Sequence, residues 1–280
     1  AFLVCNTKGE ILLDYGKDEE KGELSMVYLL DKGTNPSILC VYQKNGAFTM
    51  HYTPLPLNKS ELKGSGTAKD PYQLASAYDF TLIDKNPAAH YEVVKDINFL
   101  LIPFEGPKKA FLGSLDGKNH VLSNLCLIDG GLFNEIKDTV KVKNICFKKP
   151  MLVLSDQNFS PAGILANSMQ GGITEAGVAL TATLTNVHVI NPVIRGVGYK
   201  EIVGTIVGAA ALNLDVNACS VVGADIVAPE AQVGGVIGKA NTFTNIRACL
   251  FTGKAAGNIV GGITSEVSDG EPVYDCCVDA

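Results

Sequence analysis

Residues 111–127 read FLGSLDGKNHVLSNLCL and run directly into IDGGLF at 128–133. Two short apolar runs flank an Asp116-Gly117 turn, and each run alternates apolar with polar side chains as a half-buried strand does. The second half of this stretch returns in weaker form down the chain. The strand-like segments are Asn124-Leu125-Cys126-Leu127, Asn144-Ile145-Cys146-Phe147, Asn186-Val187-His188-Val189, Ala218-Cys219-Ser220-Val221, Ala248-Cys249-Leu250-Phe251 and Asp275-Cys276-Cys277-Val278. Taken at their second residue they lie 20, 42, 32, 30 and 27 residues apart. Steps of this length are the periods of stacked repeats. The 42-residue step predicts an insertion at about 148–170.

Stacking explains the pattern. One turn of chain cannot bury its own apolar face, but the next turn supplies backbone partners and side-chain contacts. Period-2 alternation sends Leu125, Ile145, Val187, Cys219, Cys249 and Cys276 into one inward ladder. Leu127, Phe147, Val189, Val221, Phe251 and Val278 form a second. Glycine pairs recur between the strands, as in Gly130-Gly131, Gly234-Gly235 and Gly261-Gly262, where the backbone needs positive φ or close approach. The fold class expected is all-β, a right-handed parallel β-helix over 64–280. A sandwich of six hairpins is the alternative.

The remaining segments fit around this body. Residues 1–63 hold short alternating runs and an Asn45-Gly46 pair that favours a tight hairpin, predicting a small antiparallel β unit. The cluster KDEEK at 17–21 reads as a solvated turn, and Pro54 and Pro56 stiffen the connector that follows. Ser76 is a suitable N-cap for a short helix over 77–83 with Phe80 and Ile83 inward, placed to cover the open end of the stack. Residues 90–99 return to strand alternation, with Tyr91, Val93 and Ile97 on one face.

Composition narrows the function classes. The chain has 280 residues, 29 of them Gly, no Trp, 19% charged residues and a net charge of −6, which suits a turn-rich β protein. An acidic balance without a Lys/Arg run argues against nucleic acid as a partner. The longest apolar run, 202–214, spans 13 residues, against about 20 for a membrane-spanning helix. Its Gly204 and Gly208 therefore belong to a buried strand-turn-strand. No basic and apolar leader opens the chain at Ala1, so an export signal is expected to have been removed or to lie outside this sequence.

The order GTAKDPYQLASAYDF, FLGSLDGKNHVLSNLCL and GLF resembles the β-helix region of bacterial surface proteins carrying GLUG-type repeats. The matching positions are Gly66, Thr67, Asp70, Pro71 and Tyr72, then Gly113 to Gly117, His120, Leu122, Asn124 and Leu125. Val233 to Gly238, VGGVIG, looks like the repeat itself. The likeness covers 64–280 and implies a secreted or cell-surface, adhesin-like bacterial module. Related helices also precede the catalytic part of IgA-specific metallopeptidases. This chain has no His-Glu-x-x-His, so that chemistry does not carry over.

Candidate chemistry is weighed residue by residue. Cys219, Cys249 and Cys276 read as inward-packed thiols. Cys126 with Cys146, and Cys5 with Cys40, are the possible bridges. No Cys-x-x-Cys or paired His suggests zinc, and His51, His90, His120 and His188 are scattered. Asp116 has the position of a carboxylate on a strand face, as in β-helix pectinases. Acid–base work needs two such groups, and the repeat alignment puts no second one beside it, so Asp116 reads as a turn residue. GGVIGK at 234–239 lacks the ends of a phosphate loop. Asn58 and Asn158 head glycosylation sequons only in a eukaryotic host.

No catalytic, cofactor-binding or metal residue is assigned. The expectation is a non-catalytic binding or stalk module for a host or matrix protein or glycan. The alternative is a polysaccharide lyase or hydrolase, to be recognised by a row of stacked charged residues on one face.

Overall fold

The computed structural model describes residues 2–5, 11–15, 23–30, 37–54, 61–101, 103–157, 160–268 and 273–279. It is mostly β, with 55% strand against 4% helix, and its longest sheets are parallel. Strands Glu23–Leu30, Ser37–Lys44 and Ala47–Pro54 pair antiparallel in the N-terminal part. Their hairpin turns on Asn45 and Gly46, at φ 52° and 80°, the left-handed pair that a two-residue turn requires. Residues 17–21 lie outside the described residues, as do 55–60 with Asn58, and 158–159.

The helix begins where expected. Ser76 has extended backbone and its hydroxyl accepts from the Asp79 N–H at 3.3 Å, while the Asp79 carboxylate accepts from the Ala75 N–H at 2.7 Å. This reciprocal cap starts Ala77–Thr81, and a 3-10 turn, Leu82–Lys85, completes the segment. Phe80 and Ile83 are fully buried, with Phe80 5.9 Å from the ring of Phe99.

From Tyr72 onward most strands pair in parallel with a strand that follows later in the chain. Ser114, Lys141, Thr183, Asp215 and Asn245 form one column, with spacings of 27, 42, 32 and 30 residues. Beside it, Tyr91, Leu115, Val142, Leu184, Val216 and Ile246 stack inward, all buried. Past a corner, Leu122, Phe147, Val189, Val221 and Phe251 make the next buried column. Each fully buried Leu, Phe or Val contributes about 1.5–3 kcal/mol relative to exposure. The hairpin-sandwich alternative is excluded: between 64 and 279 the only antiparallel strand pair among the described residues is Gly172–Ile173 with Ala179–Leu180.

The two kinds of corner divide the options expected for glycine. Positive φ falls on Asn119, Asn144, Asn186, Ala218, Ala248 and Asp275 at one edge, and on Asn124, Lys149, Asn191 and Gly223 at the next. The glycines of the 130–131, 163, 204, 234–235 and 261–262 turns are needed instead for close approach. A Cβ on Gly234 would stand 1.9 Å from the Ile237 carbonyl oxygen, and one on Gly131 2.3 Å from that of Gly163.

Two expectations from the repeat alignment are corrected. Leu125 and Leu127 do not head the columns of Ile145 and Phe147; Leu122 pairs with Phe147, and Leu127 with Leu152. Asn124 and Asn144 are both left-handed corner residues, but of different corners, and their similar surroundings disguised the difference. The ladders below them hold as far as Cys249 and Phe251: Ile145, Val187, Cys219 and Cys249 are buried in one column and Phe147, Val189, Val221 and Phe251 in the other. Val278 follows Phe251 in register but is exposed, and Cys276 is only half-buried. The extra residues of the 42-residue step include the antiparallel excursion within 171–181, beyond the stretch expected.

Candidate binding face

The outward side chains of the first strand in each tier build a polar face. In register, Glu92, Asp116, Lys143, Thr185, Asn217 and Arg247 follow one another, beside His90, Ser114, Lys141, Thr183, Asp215 and Asn245. This overturns one reading of the sequence and meets the mark set there for the enzyme alternative. Glu92 is the direct strand partner of Asp116, so a second carboxylate does adjoin it, and a row of charged residues does lie on one face. The repeat alignment began at residue 124 and so never included the strand His90–Val93 that carries Glu92.

At the upper tiers the face opens into a cleft of about 740 Å³ lined by His90, Glu92, Asp116, Lys118, Lys141 and Lys143, with Pro71 and Leu112 among its apolar walls. Local chain geometry sets these groups. Asp116 ends its strand and its carboxylate accepts from the Lys118 N–H at 2.9 Å, holding the turn 117–120, which the His120 N–H closes onto the Gly117 carbonyl at 2.8 Å. Lys118 and Asn119 take φ 50° and 63° at the tip. Gly117 is required by space, since a Cβ there would meet the Asn144 carbonyl oxygen at 2.3 Å. The turn aims Lys118 back over the strand, its Nζ 3.5 Å from Glu92 and 3.8 Å from Asp116. Lys143 Nζ lies 3.4 Å from Asp116.

These contacts decide the protonation of Asp116. Partial burial opposes its charge. Hydrogen bonds from the Lys118 N–H and the Asn144 amide, with the charge of Lys143, outweigh that and hold the carboxyl below the usual range. The turn role read for Asp116 is thus present, and an ionic role is added to it.

A hydrogen-bonded chain runs from Asp116 across successive tiers. The Asn144 amide donates to Asp116 at 3.1 Å and that of Asn186 to Asn144 at 3.0 Å; His188 sits 2.8 Å from Asn186 and 2.7 Å from Ser220. Burial pushes the His188 imidazole below its ordinary value. His90 pairs with Ser114 at 2.6 Å and His120 with Asp96 at 3.0 Å, so the described histidines are not brought together; the side chain of His51 lies outside the described residues.

The cysteines divide in a similar way. Cys219 and Cys249 are buried in one column, with thiols directed to the carbonyls of Asn217 and Arg247 at 3.4 and 3.3 Å, and Cys276 is half-buried below them. Cys126 pairs with Met151, and Val121 takes the place opposite Cys146, so the expected alignment of these two cysteines is wrong and both thiols are free. The side chain of Cys5 lies outside the described residues. Among the described residues no cluster of three or more His, Cys, Asp or Glu is arranged for a metal ion.

Residues 202–214 form strands Ile202–Gly204 and Val207–Ala210 within the core, and no helix among the described residues is long and apolar enough to cross a membrane. The GGVIGK segment is equally internal, with Val236 and Ile237 fully buried. Comparison with protein-family models, curated proteins and solved structures finds no match to this chain.

Proposed function

We propose that residues 64–280 are a right-handed parallel β-helix of GLUG-like repeats, from a secreted or cell-surface bacterial protein, which binds a host or matrix glycan without catalysis. The architecture is supported by in-register parallel pairing at spacings of 27 to 42 residues and by continuous columns of buried apolar side chains. The secreted, adhesin-like setting rests on the sequence resemblance. The observation that carries a binding role is the polar cleft, whose two carboxylates are ion-paired through Lys118.

A hydrolase is the second reading, because Glu92 and Asp116 occupy adjacent parallel strands about 4.8 Å apart. That approaches the roughly 5 Å separation of a retaining carboxylate pair. Such a pair needs one carboxyl protonated near neutral pH. Asp116 is held below the usual carboxylate range, which suits it to accept hydrogen bonds from hydroxyl groups better than to donate a proton.

The test is a polysaccharide panel assayed for binding and for release of reducing ends or unsaturated products. Saturable binding without turnover is expected. Turnover abolished by Asp116→Asn or Glu92→Gln would put the hydrolase or lyase reading first.

A further inference from the structure

We infer that the cleft takes an acidic saccharide, and that Lys141 receives its carboxylate; this rests on the glycan-binding reading above. The cleft carries three ammonium groups, Lys118, Lys141 and Lys143, against two carboxylates, Glu92 and Asp116. It is therefore positive by one charge in a chain whose net charge is −6. Low-dielectric walls concentrate such a local field, so a site of this sign within an acidic protein selects for anions.

The three lysines are not equivalent. Lys118 is shared between Glu92 and Asp116, and Lys143 faces Asp116 at 3.4 Å. The Lys141 side chain has no hydrogen bond or ion pair among the described residues. It stands exposed in its column between Ser114 and Thr183, with Thr139 and Thr181 also at the cleft. Among the described residues no carboxylate pairs with its ammonium, in contrast to those of Lys118 and Lys143.

The surroundings set the kind of anion. Glu92 and Asp116 repel a phosphate monoester, which carries nearly two charges, more strongly than a carboxylate carrying one. The same carboxylates accept hydrogen bonds from hydroxyl groups, and Ser114, Thr139 and Thr181 offer further hydroxyl partners. Pro71, Ala88 and Leu112 supply an apolar wall against which the C–H face of a pyranose can lie. One carboxylate, several hydroxyls and an apolar ring face describe a hexuronate or a sialic acid. The volume of about 740 Å³ falls within the ordinary range of ligand clefts.

The experiment titrates the full chain with hyaluronate, alginate, polygalacturonate and sialyl oligosaccharides, each beside its carboxyl-reduced form. Expected is binding of at least one acidic form, weakened ten-fold or more by carboxyl reduction or by Lys141→Met. Rising salt should weaken it too. Methionine retains the apolar stem of Lys141, and Lys148→Met, at the far end of the same strand and outside the cleft lining, should leave the affinity unchanged. Thermal unfolding of each variant confirms that the fold persists, and Lys141→Arg should retain most of the affinity. Equal binding of acidic and reduced forms, or a Lys141→Met variant that binds like the parent, overturns the acidic-ligand inference but leaves glycan binding standing. Absence of binding to either form of every probe overturns both.

Discussion

Two edges of the stacked region turn the chain by opposite means. At the edge through Asn119, Asn144, Asn186, Ala218, Ala248 and Asp275, ordinary residues enter the left-handed region, mostly at φ of 51–55°. At the edge through Gly131, Gly163, Gly204, Gly234 and Gly261, φ stays outside the left-handed region, and backbone of the same turn or of the neighbouring one fills the place a Cβ would take. The first edge spends conformational energy and recovers part of it through polar side chains that bond from tier to tier. The second needs no hydrogen-bonding side chain but tolerates no Cβ. Asn and Gly, often treated as interchangeable turn residues, have separate duties here.

The sharpest way to break this contrast is Gly234→Val. Its Cβ would overlap the Ile237 carbonyl oxygen, a backbone atom that cannot swing aside. A loss of about 3 kcal/mol or more in chemical denaturation is expected. A loss below about 1 kcal/mol would show that this edge is slack. At the other edge, Asn186→Ala removes the bonds to Asn144 and His188 and leaves alanine at φ 55°. It should cost about 2 kcal/mol, combining lost hydrogen bonds with left-handed strain.

Ala218→Asn runs in the opposite direction. Ala218 already holds φ 54°, and Asn tolerates that region better. A gain of about 1 kcal/mol in unfolding free energy is expected, and no gain would mean the edge is governed by stacking alone.

The smallest effect is pH-dependent. The folded-state pKa of His188 lies below its unfolded value near 6.5. Between those two values the unfolded chain binds more protons, so stability should decline as pH falls from 7 through 6.5 and level off below the folded pKa. His188→Gln should flatten that part of the profile; an unchanged slope would remove His188 as its source. Native thiol labelling gives a separate check on register, with Cys219 and Cys249 slow and exposed Cys277 fast. Rapid labelling at Cys219 would mean the strand faces are reversed.

Much of the stack was legible because alternation is local. The inward positions of Ile145, Val187, Cys219 and Cys249, the Ser76 cap and the Asn45-Gly46 hairpin all follow from short windows of sequence. Register between tiers is not local. Two corners use asparagine in the same conformation, so Asn124 was matched with Asn144 when its counterpart is Lys149. The polar face was missed for the same reason. Glu92 meets Asp116 only because the chain from 93 to 113 makes one full tier, and no residue within that interval states its length.

The excursion within 171–181 bears on how such a molecule can change. It carries exposed Ile173 and Val178 out from the body, yet Met169 before it still meets Ala210 and Thr183 after it still meets Asp215. Distance along the chain and position in the stack are therefore separable quantities. Residues can be added at this point without shifting any address elsewhere, because each tier takes its register from its neighbour rather than from a count of residues. It is a natural port for grafted peptides or altered loops, provided that Thr181, which ends the excursion at the cleft, keeps its place.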